Sequence, residues 1–221
     1  MCRPHATGPP DAAQFPQSRT TTESSAKNRS AAALTTTTPS TEIIMAETIQ
    51  TTAARNAMPL SAALRPGGAL LALDLGTTTG FALRGADGAI TSGTAEFRLD
   101  RWQSGGMRFL RFKHWLTEIK HQAGGIETVV YEQVRRHAGV DASHAYGGWL
   151  AILTAWCDHH GIAYQGVPVG TIKRHVTGRG NADKAAVIAA IRARGFNPTD
   201  DNEADALAIL LWATETLGGV R

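Results

Sequence analysis

"LLALDLGTTTGFAL", Leu70 to Leu83, is the stretch on which the reading of this chain turns. An apolar run ends on a single acid, Asp74; Gly76 and three threonines follow, and then the chain turns apolar again. A short apolar run closed by turn residues reads as a buried strand. A buried strand that finishes on a lone carboxylate is costly unless something donates to it or a cation meets it. Two explanations are open at this point. Asp74 caps the glycine–threonine turn, as Asp often does, or it holds a cation.

Working outward, "TGFALRG" (Thr79 to Gly85) reads as a second strand and "AITSGTAEF" (Ala89 to Phe97) as a third, with the Asp87–Gly88 pair as a hairpin signal between them. The three form an antiparallel meander. From Gly106 to His121 the apolar residues Met107, Leu110, Trp115, Leu116 and Ile119 recur at helical spacing. "ETVVYEQ" (Glu127 to Gln133) is a short apolar strand that again ends on an acid, Glu132. A helix is expected over Asp141 to Gly161, with Gly161 as its stop. The Gly147–Gly148 pair inside it lowers helix propensity by about 1 kcal/mol per residue against Ala, so close packing or the approach of another backbone is the expected reason for it. Ile162 to Pro168 is a fifth strand, and helices follow over Val169 to Gly178, Asn181 to Gly195 and Asp201 to Gly219. A meander followed by strand–helix alternation predicts an α/β fold, a mixed five-stranded sheet with helices on both faces.

Composition divides the chain. Residues 1–65 are rich in Thr, Ser, Ala and Pro, as in "SRTTTESSAKNRSAAALTTTTPSTE" (Ser18 to Glu42), and hold few large apolar residues. Such a segment cannot bury enough surface to offset its ordering entropy, and it is expected to be a disordered tail ahead of a folded domain at 66–221. It lacks the apolar core of a signal peptide; a transit peptide is the rival reading, and Met45 and Met58 are alternative starts. No run of about 18 or more apolar residues occurs, so no membrane span is expected. Cys2 and Cys157 are the two cysteines, which argues against a disulfide framework and for a reducing, cytoplasmic setting. His159 and His160 stand near a helix end, where solvation or the helix dipole accounts for them. Net charge is +3, of which about +2 falls in residues 1–65, so overall charge says little about nucleic acid. Local pattern says more: Arg98, Arg101, Arg108, Arg111 and Lys113 cluster, as do Lys173, Arg174, Arg179 and Lys184. Either cluster alone is also what a solvated face looks like.

The acids differ in how readily structure explains them. Glu132 has an ordinary reading as a strand-end residue near Arg135 and Arg136. Asp200, Asp201 and Glu203 open a helix, where the macrodipole favours acids and Asp200 with Glu203 makes a capping box. Asp205 resists such an account. It sits in "ADALAILLWA", apolar on every side, and a helix of that kind is buried. Asp201 lies one turn earlier on the same face, where two carboxylates repel. A divalent cation resolves the conflict. If the strands ending on Asp74 and Glu132 are neighbours, and the last helix crosses their end, then Asp74, Glu132, Asp201 and Asp205 converge. An all-carboxylate set suits Mg²⁺ or Mn²⁺, and a pair of such ions serves phosphodiester hydrolysis.

"DLGTTTG" is similar both to the first phosphate loop of the actin and sugar-kinase superfamily and to the first strand of RuvC-type Holliday junction resolvases, two groups that share a ribonuclease-H-like core. "VVYEQV" (Val129 to Val134), "GTIKRHVTGRGNADKAAVIAAI" (Gly170 to Ile191) and "NEADALAILLWA" (Asn202 to Ala213) resemble, in order, the RuvC segments around the second acid, the late lysine-bearing helix and the closing helix. The resemblance spans nearly the whole folded region. It implies a metal-dependent, structure-selective endonuclease of phage or prophage type, acting on Holliday junctions or related branched DNA as a homodimer with two ions per site.

By position, Asp74, Glu132 and Asp205 match three of the family's four metal-binding acids. The fourth falls on Asn202, with Asp201 one residue earlier; the carboxylate is the better ligand for a hard cation. Lys184 matches a basic residue near the scissile phosphate, giving a catalytic set of Asp74, Glu132, Asp201, Asp205 and Lys184. Arg135, Arg136, Lys173, Arg174, Arg179 and Lys184 are the expected phosphate contacts. The family's stacking aromatic after the second acid is replaced here by the basic "RRHAGVDASHAY". Three other readings stay open: a YqgF-like nuclease of ribosomal RNA precursors, a nucleic-acid-binding module without turnover, and an ATP-binding actin/sugar-kinase-like module.

Overall fold

The computed structural model describes residues 67–134 and 139–217. The expected tail at 1–65, and the arginines Arg135 and Arg136, lie outside the described residues. The strands are β1 (Leu70–Asp74), β2 (Thr78–Arg84), β3 (Ile90–Glu96), β4 (Thr128–Gln133) and β5 (Ala163–Pro168). The helices are α1 (Met107–Gln122), α2 (Val140–His160), α3 (Val169–Thr177), α4 (Lys184–Arg192) and α5 (Asp201–Leu217). The sheet order is β3-β2-β1-β4-β5. β1, β2 and β3 form the expected antiparallel meander, while β4 runs parallel to both β1 and β5.

Alternation along each strand assigns the two faces. Leu71, Leu73, Val129 and Tyr131 point to a core built with α1 and α2, where Phe112, Leu116, Trp149 and Trp156 are buried. Each such side chain contributes roughly 1.5–3 kcal/mol of hydrophobic stabilisation. Leu70, Ala72, Ala82 and Val130 point the other way, to a second core with α3, α4 and α5. Asp74 and Glu132 continue this second alternation, so both acids face the α5 side. The helix ends follow from local chemistry: Gly161 and Gly178 close α2 and α3 with φ of 64° and 79°, and the Asp183 carboxylate accepts from the Ala186 N–H at 2.8 Å to open α4.

α5 lies unusually close to the sheet because the residues beneath it are small. Ala72 pairs with Ala82, and Asp74 pairs with Gly80. A Cβ on Gly80 would stand 1.9 Å from the carbonyl oxygen of Asn202, in the first turn of α5. That turn is further tied to the sheet by Glu203, 6% exposed. Its carboxylate accepts from the Thr199 N–H (2.8 Å), the Thr199 hydroxyl (2.7 Å) and, across on β3, the Ser92 hydroxyl (2.7 Å). The Glu203 N–H donates to the Asp200 carboxylate at 2.9 Å. The expected capping box is therefore present in modified form: the reciprocal bond reaches Thr199 rather than the Asp200 N–H.

The glycine pair in α2 divides in function. A Cβ on Gly148 would meet the Phe109 ring at 2.4 Å, whereas one on Gly147 meets nothing within 4 Å. The close neighbour is thus a side chain rather than a backbone, and only Gly148 has one. Two substitutions read these packing constraints. Gly80→Ala is expected to destabilise by about 3 kcal/mol or more, because both partners are backbone of packed elements and neither can rotate away. Gly147→Ala should stabilise by roughly 0.5–1 kcal/mol through helix propensity alone. Chemical denaturation of the two variants checks both signs.

Candidate active site

The parallel pairing of β1 with β4 brings the first two acids together. The register runs to Leu73 opposite Tyr131, so Asp74 and Glu132 are the next residues at the same end of adjacent strands. Tyr146 of α2 fixes the end of β4: its hydroxyl donates to the Glu132 carbonyl at 2.8 Å and accepts from the Val134 N–H at 3.3 Å. α5, held down at Gly80, carries Asp201 and Asp205 over the same end.

The electrostatics report this convergence. Burial, with the charges of Glu132, Asp205 and Asp201, pushes the Asp74 carboxyl up to about 8, against a smaller opposing pull from Lys184. Burial and Asp205 push Glu132 up to about 7, opposed by Lys173. Asp205 is raised by burial and by Asp201, again opposed by Lys173 and Lys184. Three half-buried acids are held within the field of neighbouring carboxylates.

Glu203 shows that burial alone is not the cause. Burial pushes that carboxyl up as well, but the bonds from Thr199 and Ser92 outweigh it and the net shift is downward. Asp74 has no such donors among the described residues. Its turn is closed instead by Thr79, whose hydroxyl donates to the Gly76 carbonyl at 2.7 Å and accepts from the Gly76 N–H at 3.3 Å. The turn-capping explanation of Asp74 therefore falls away, since Thr79 performs that task.

Asp201 behaves differently from the other three. Its carboxylate accepts from the Lys184 ammonium, and this bond draws the Asp201 carboxyl below the usual range. Lys184 itself is raised by the same partner. Asn202 contributes its backbone to the contact with Gly80. Among the described residues, no group of three or more His, Cys, Asp or Glu stands in an arrangement that could hold a metal ion. The carboxylates share a field without forming a finished coordination shell.

The other expected residues divide. Lys173 donates to the Ala182 carbonyl at 2.9 Å and opposes the raised state of both Glu132 and Asp205, a role inside the acidic site that its place in a basic run did not reveal. The Arg174 guanidinium lies against Gly180. The Arg179 N–H donates to the Thr177 hydroxyl at 3.2 Å in the loop that follows α3. Away from the site, Cys157 is buried, and burial pushes its thiol up. His160 is lowered by burial and by Lys120, whose Nζ is 3.2 Å from the ring, so the helix-dipole reading of this histidine is replaced by a neutral ring beside a cation. No described helix is long and apolar enough to cross a membrane.

A pH dependence of stability follows without any metal. In the unfolded chain Asp74 loses its proton near pH 4; in the folded chain it retains it to about pH 8. Between those values the folded state binds more protons, so stability falls as pH rises through that window. Asp74→Asn removes this contribution. In EDTA the variant is expected to melt several degrees above the wild type at pH 8, with the difference closing toward pH 4, as calorimetry across the range would show.

No protein-family model matches the chain. No curated protein matches it. Among solved structures it is similar to Thermus thermophilus RuvC in complex with a Holliday junction substrate, at 21% identity and a TM-score of 0.55, over 65% of this chain and 91% of that one. A second T. thermophilus RuvC structure gives 20% identity and a TM-score of 0.52, over 66% and 96%. The yeast mitochondrial Holliday junction resolvase Ydc2 gives 11% identity and a TM-score of 0.47, over 76% and 82%. At these identities the likeness is one of fold. The described chain has the RuvC-type fold, with its mixed five-stranded ribonuclease-H-like sheet.

Proposed function

We propose that this chain is a metal-dependent endonuclease that cuts phosphodiester bonds at Holliday junctions or related branched DNA. The observation that carries the reading is the trio Asp74, Glu132 and Asp205, half-buried at one sheet end, each raised by partial burial and by a neighbouring carboxylate, and none given the donors that Glu203 receives. A site that gathers carboxylates with only partial compensation from Lys173 and Lys184 is suited to a cation. The similar RuvC structure with a Holliday junction supplies the substrate class.

The donor set fits Mg²⁺, with Mn²⁺ as a substitute: oxygen ligands only, and no thiolate or imidazole among them. Asp74, Glu132 and Asp205 would hold two ions, with Asp201 as a further ligand. Bound there, the ions would supply an activated water and stabilisation of the leaving oxygen. The chain's own residues do the rest. Asp201 becomes available as Lys184 leaves it, and the released ammonium is then free to meet a phosphate oxygen. Lys173, anchored on Ala182, limits the charge imbalance at Glu132 and Asp205. Arg174 and Arg179, with Arg135 and Arg136, would contact backbone phosphates, which position the substrate without reading sequence. Cutting two strands of a junction calls for two sites, and a homodimer is part of this reading.

One observation favours a second reading. With the Lys184 ammonium paired to Asp201, the site also suits a nucleic-acid-binding module without turnover. Purified protein incubated with a four-way junction, a linear duplex and a structured RNA, in Mg²⁺ or EDTA, separates the two. Mg²⁺-dependent cutting of the junction supports the nuclease; binding without cutting supports the module; cutting of RNA alone would replace DNA as the substrate.

Single substitutions sharpen the test. Glu132→Gln is expected to abolish cutting while leaving junction binding intact. Mg²⁺ should raise the melting temperature of the wild type at pH 8 and fail to do so for Asp74→Asn, a readout independent of turnover. Losing a direct ligand costs more than the roughly 10- to 100-fold typical of a residue that only supports one. Asp201→Asn should therefore cut more than about 100-fold more slowly at low Mg²⁺, with partial recovery in high Mg²⁺ or Mn²⁺, whereas Asn202→Ala should be mild. The reverse ranking of those two variants would move the fourth ligand to Asn202.

A further inference from the structure

Trp102 is 88% exposed, the most open large apolar side chain among the described residues. Trp149, Trp156 and Trp212 are buried, and Trp115 is packed among Phe81, Phe97 and Phe112. A single exposed apolar residue is ordinary. Three further observations make this one informative.

The first is that Trp102 is held in a structured turn. The Gln103 N–H donates to the Asp100 carbonyl at 3.0 Å, and the Gln103 amide donates to the Asp100 carboxylate at 2.8 Å. Arg111 of α1 braces the turn from below, donating to the Arg98 carbonyl at 3.0 Å. An exposed indole on a braced turn is presented outward at little entropic cost. The second is its company. The Arg101 guanidinium lies over the indole, 5.3 Å from its centroid, and Arg98, four residues before Trp102, is exposed and pairs only loosely with Glu96, at 3.8 Å. An aromatic face flanked by arginines is how single-stranded nucleic acid is bound: the base stacks, and the cations take the backbone.

The third is placement. β3 is parallel in direction to β1, and its last residue, Glu96, pairs with Thr78, just past the Asp74–Gly80 pair. The segment after β3 therefore leaves the sheet at the end that carries Asp74, two strands away or about 10 Å at ordinary strand spacing, and Glu132, one strand further. Leu110 and Val140, 60% and 69% exposed, open α1 and α2 at the same end. The carboxylate end of the sheet is thus rimmed by exposed apolar groups and arginines.

We propose that Trp102 is a stacking platform for an unpaired base of the nucleic acid whose backbone the carboxylate site engages, with Arg101 and Arg98 on the adjoining phosphates. The proposal rests on the nuclease reading for the identity of the partner and extends it to strand separation beside the cut. A base lifted onto Trp102 is one that a junction or fork offers cheaply and an intact duplex does not, so the residue selects for branched or single-stranded substrate.

The test uses the full chain in EDTA, with fluorescently labelled oligothymidylate, a four-way junction and a linear duplex as probes. Trp102→Ala should weaken oligothymidylate binding about 5- to 100-fold and junction binding in the same sense, with the duplex unchanged. Trp102→Phe should restore most of the loss. Because no charge is removed, the salt dependence of binding should keep its slope in Trp102→Ala, whereas Arg101→Gln should flatten it by close to one phosphate contact. Equal affinity of wild type and Trp102→Ala for oligothymidylate overturns the proposal, as does an equal loss on all three probes. Loss of dimer formation in Trp102→Ala with unchanged nucleic-acid affinity overturns it in favour of a protein contact. If the wild type cuts in Mg²⁺ and Trp102→Ala binds normally, this inference alone fails; if the wild type never cuts yet Trp102→Ala loses oligothymidylate binding, the nuclease reading fails and the stacking platform stands.

Discussion

The backbone of Asn202 rests on Gly80 so closely that one added methyl would occupy the space of its carbonyl. This contact sets the height of α5 above the sheet and the position of its first turn along β2. Since Gly80 pairs with Asp74 across to β1, the same contact places Asp201 and Asp205 over the first acid. The small residues beneath, Ala72 and Ala82, permit the approach, and Glu203 locks it by joining the Thr199 loop and Ser92 of β3 to the helix. A larger residue at position 80 would lift α5 and part the carboxylates, so the packing constraint and the chemical site are one feature.

Within one helix the protein treats two acids shielded from solvent to different degrees in opposite ways. Glu203 receives three hydrogen bonds and stays ionised; Asp205, two residues on, receives none among the described residues and is driven toward its neutral form. A hydrogen bond to a charged group contributes about 1.5–3 kcal/mol, so three of them outweigh burial at Glu203, whereas at Asp205 the weaker pull of Lys173 and Lys184 does not. The stability lost at Asp74, Glu132 and Asp205 is the kind of cost proteins carry at functional sites. Lys173 and Lys184 moderate it from the rim. Lys184 does so by pairing with Asp201.

The same sheet end gathers features that the acids alone do not require. The turn bearing Trp102, the first turns of α1 and α2, and the arginines at 98 and 101 all face outward there, because every parallel strand delivers its carboxyl end to that edge. Ligand sites of α/β sheets form at such edges for this topological reason. A polyanion lying across it would meet cations and apolar faces before it reached the carboxylates.

The sequence by itself determined the elements and their order, because alternation, helical spacing and glycine stops are local signals: the five strands and five helices of the described residues stand where the patterns put them, and Asp205 stood out from its apolar surroundings alone, whereas Asp74 and Glu132 each kept an ordinary turn or strand-end reading. Tertiary structure decided what depends on which distant groups meet. It gave the turn at Gly76 to Thr79 and so freed Asp74. It set Lys184 on Asp201, brought Lys173 into the acidic field, and showed that Gly148 rather than Gly147 is constrained. It also made an exposed platform of Trp102, which sequence pattern cannot distinguish from a core tryptophan. Charge and burial are sums over neighbours, and the neighbours of a residue at a sheet edge come from strands and helices far away in the chain.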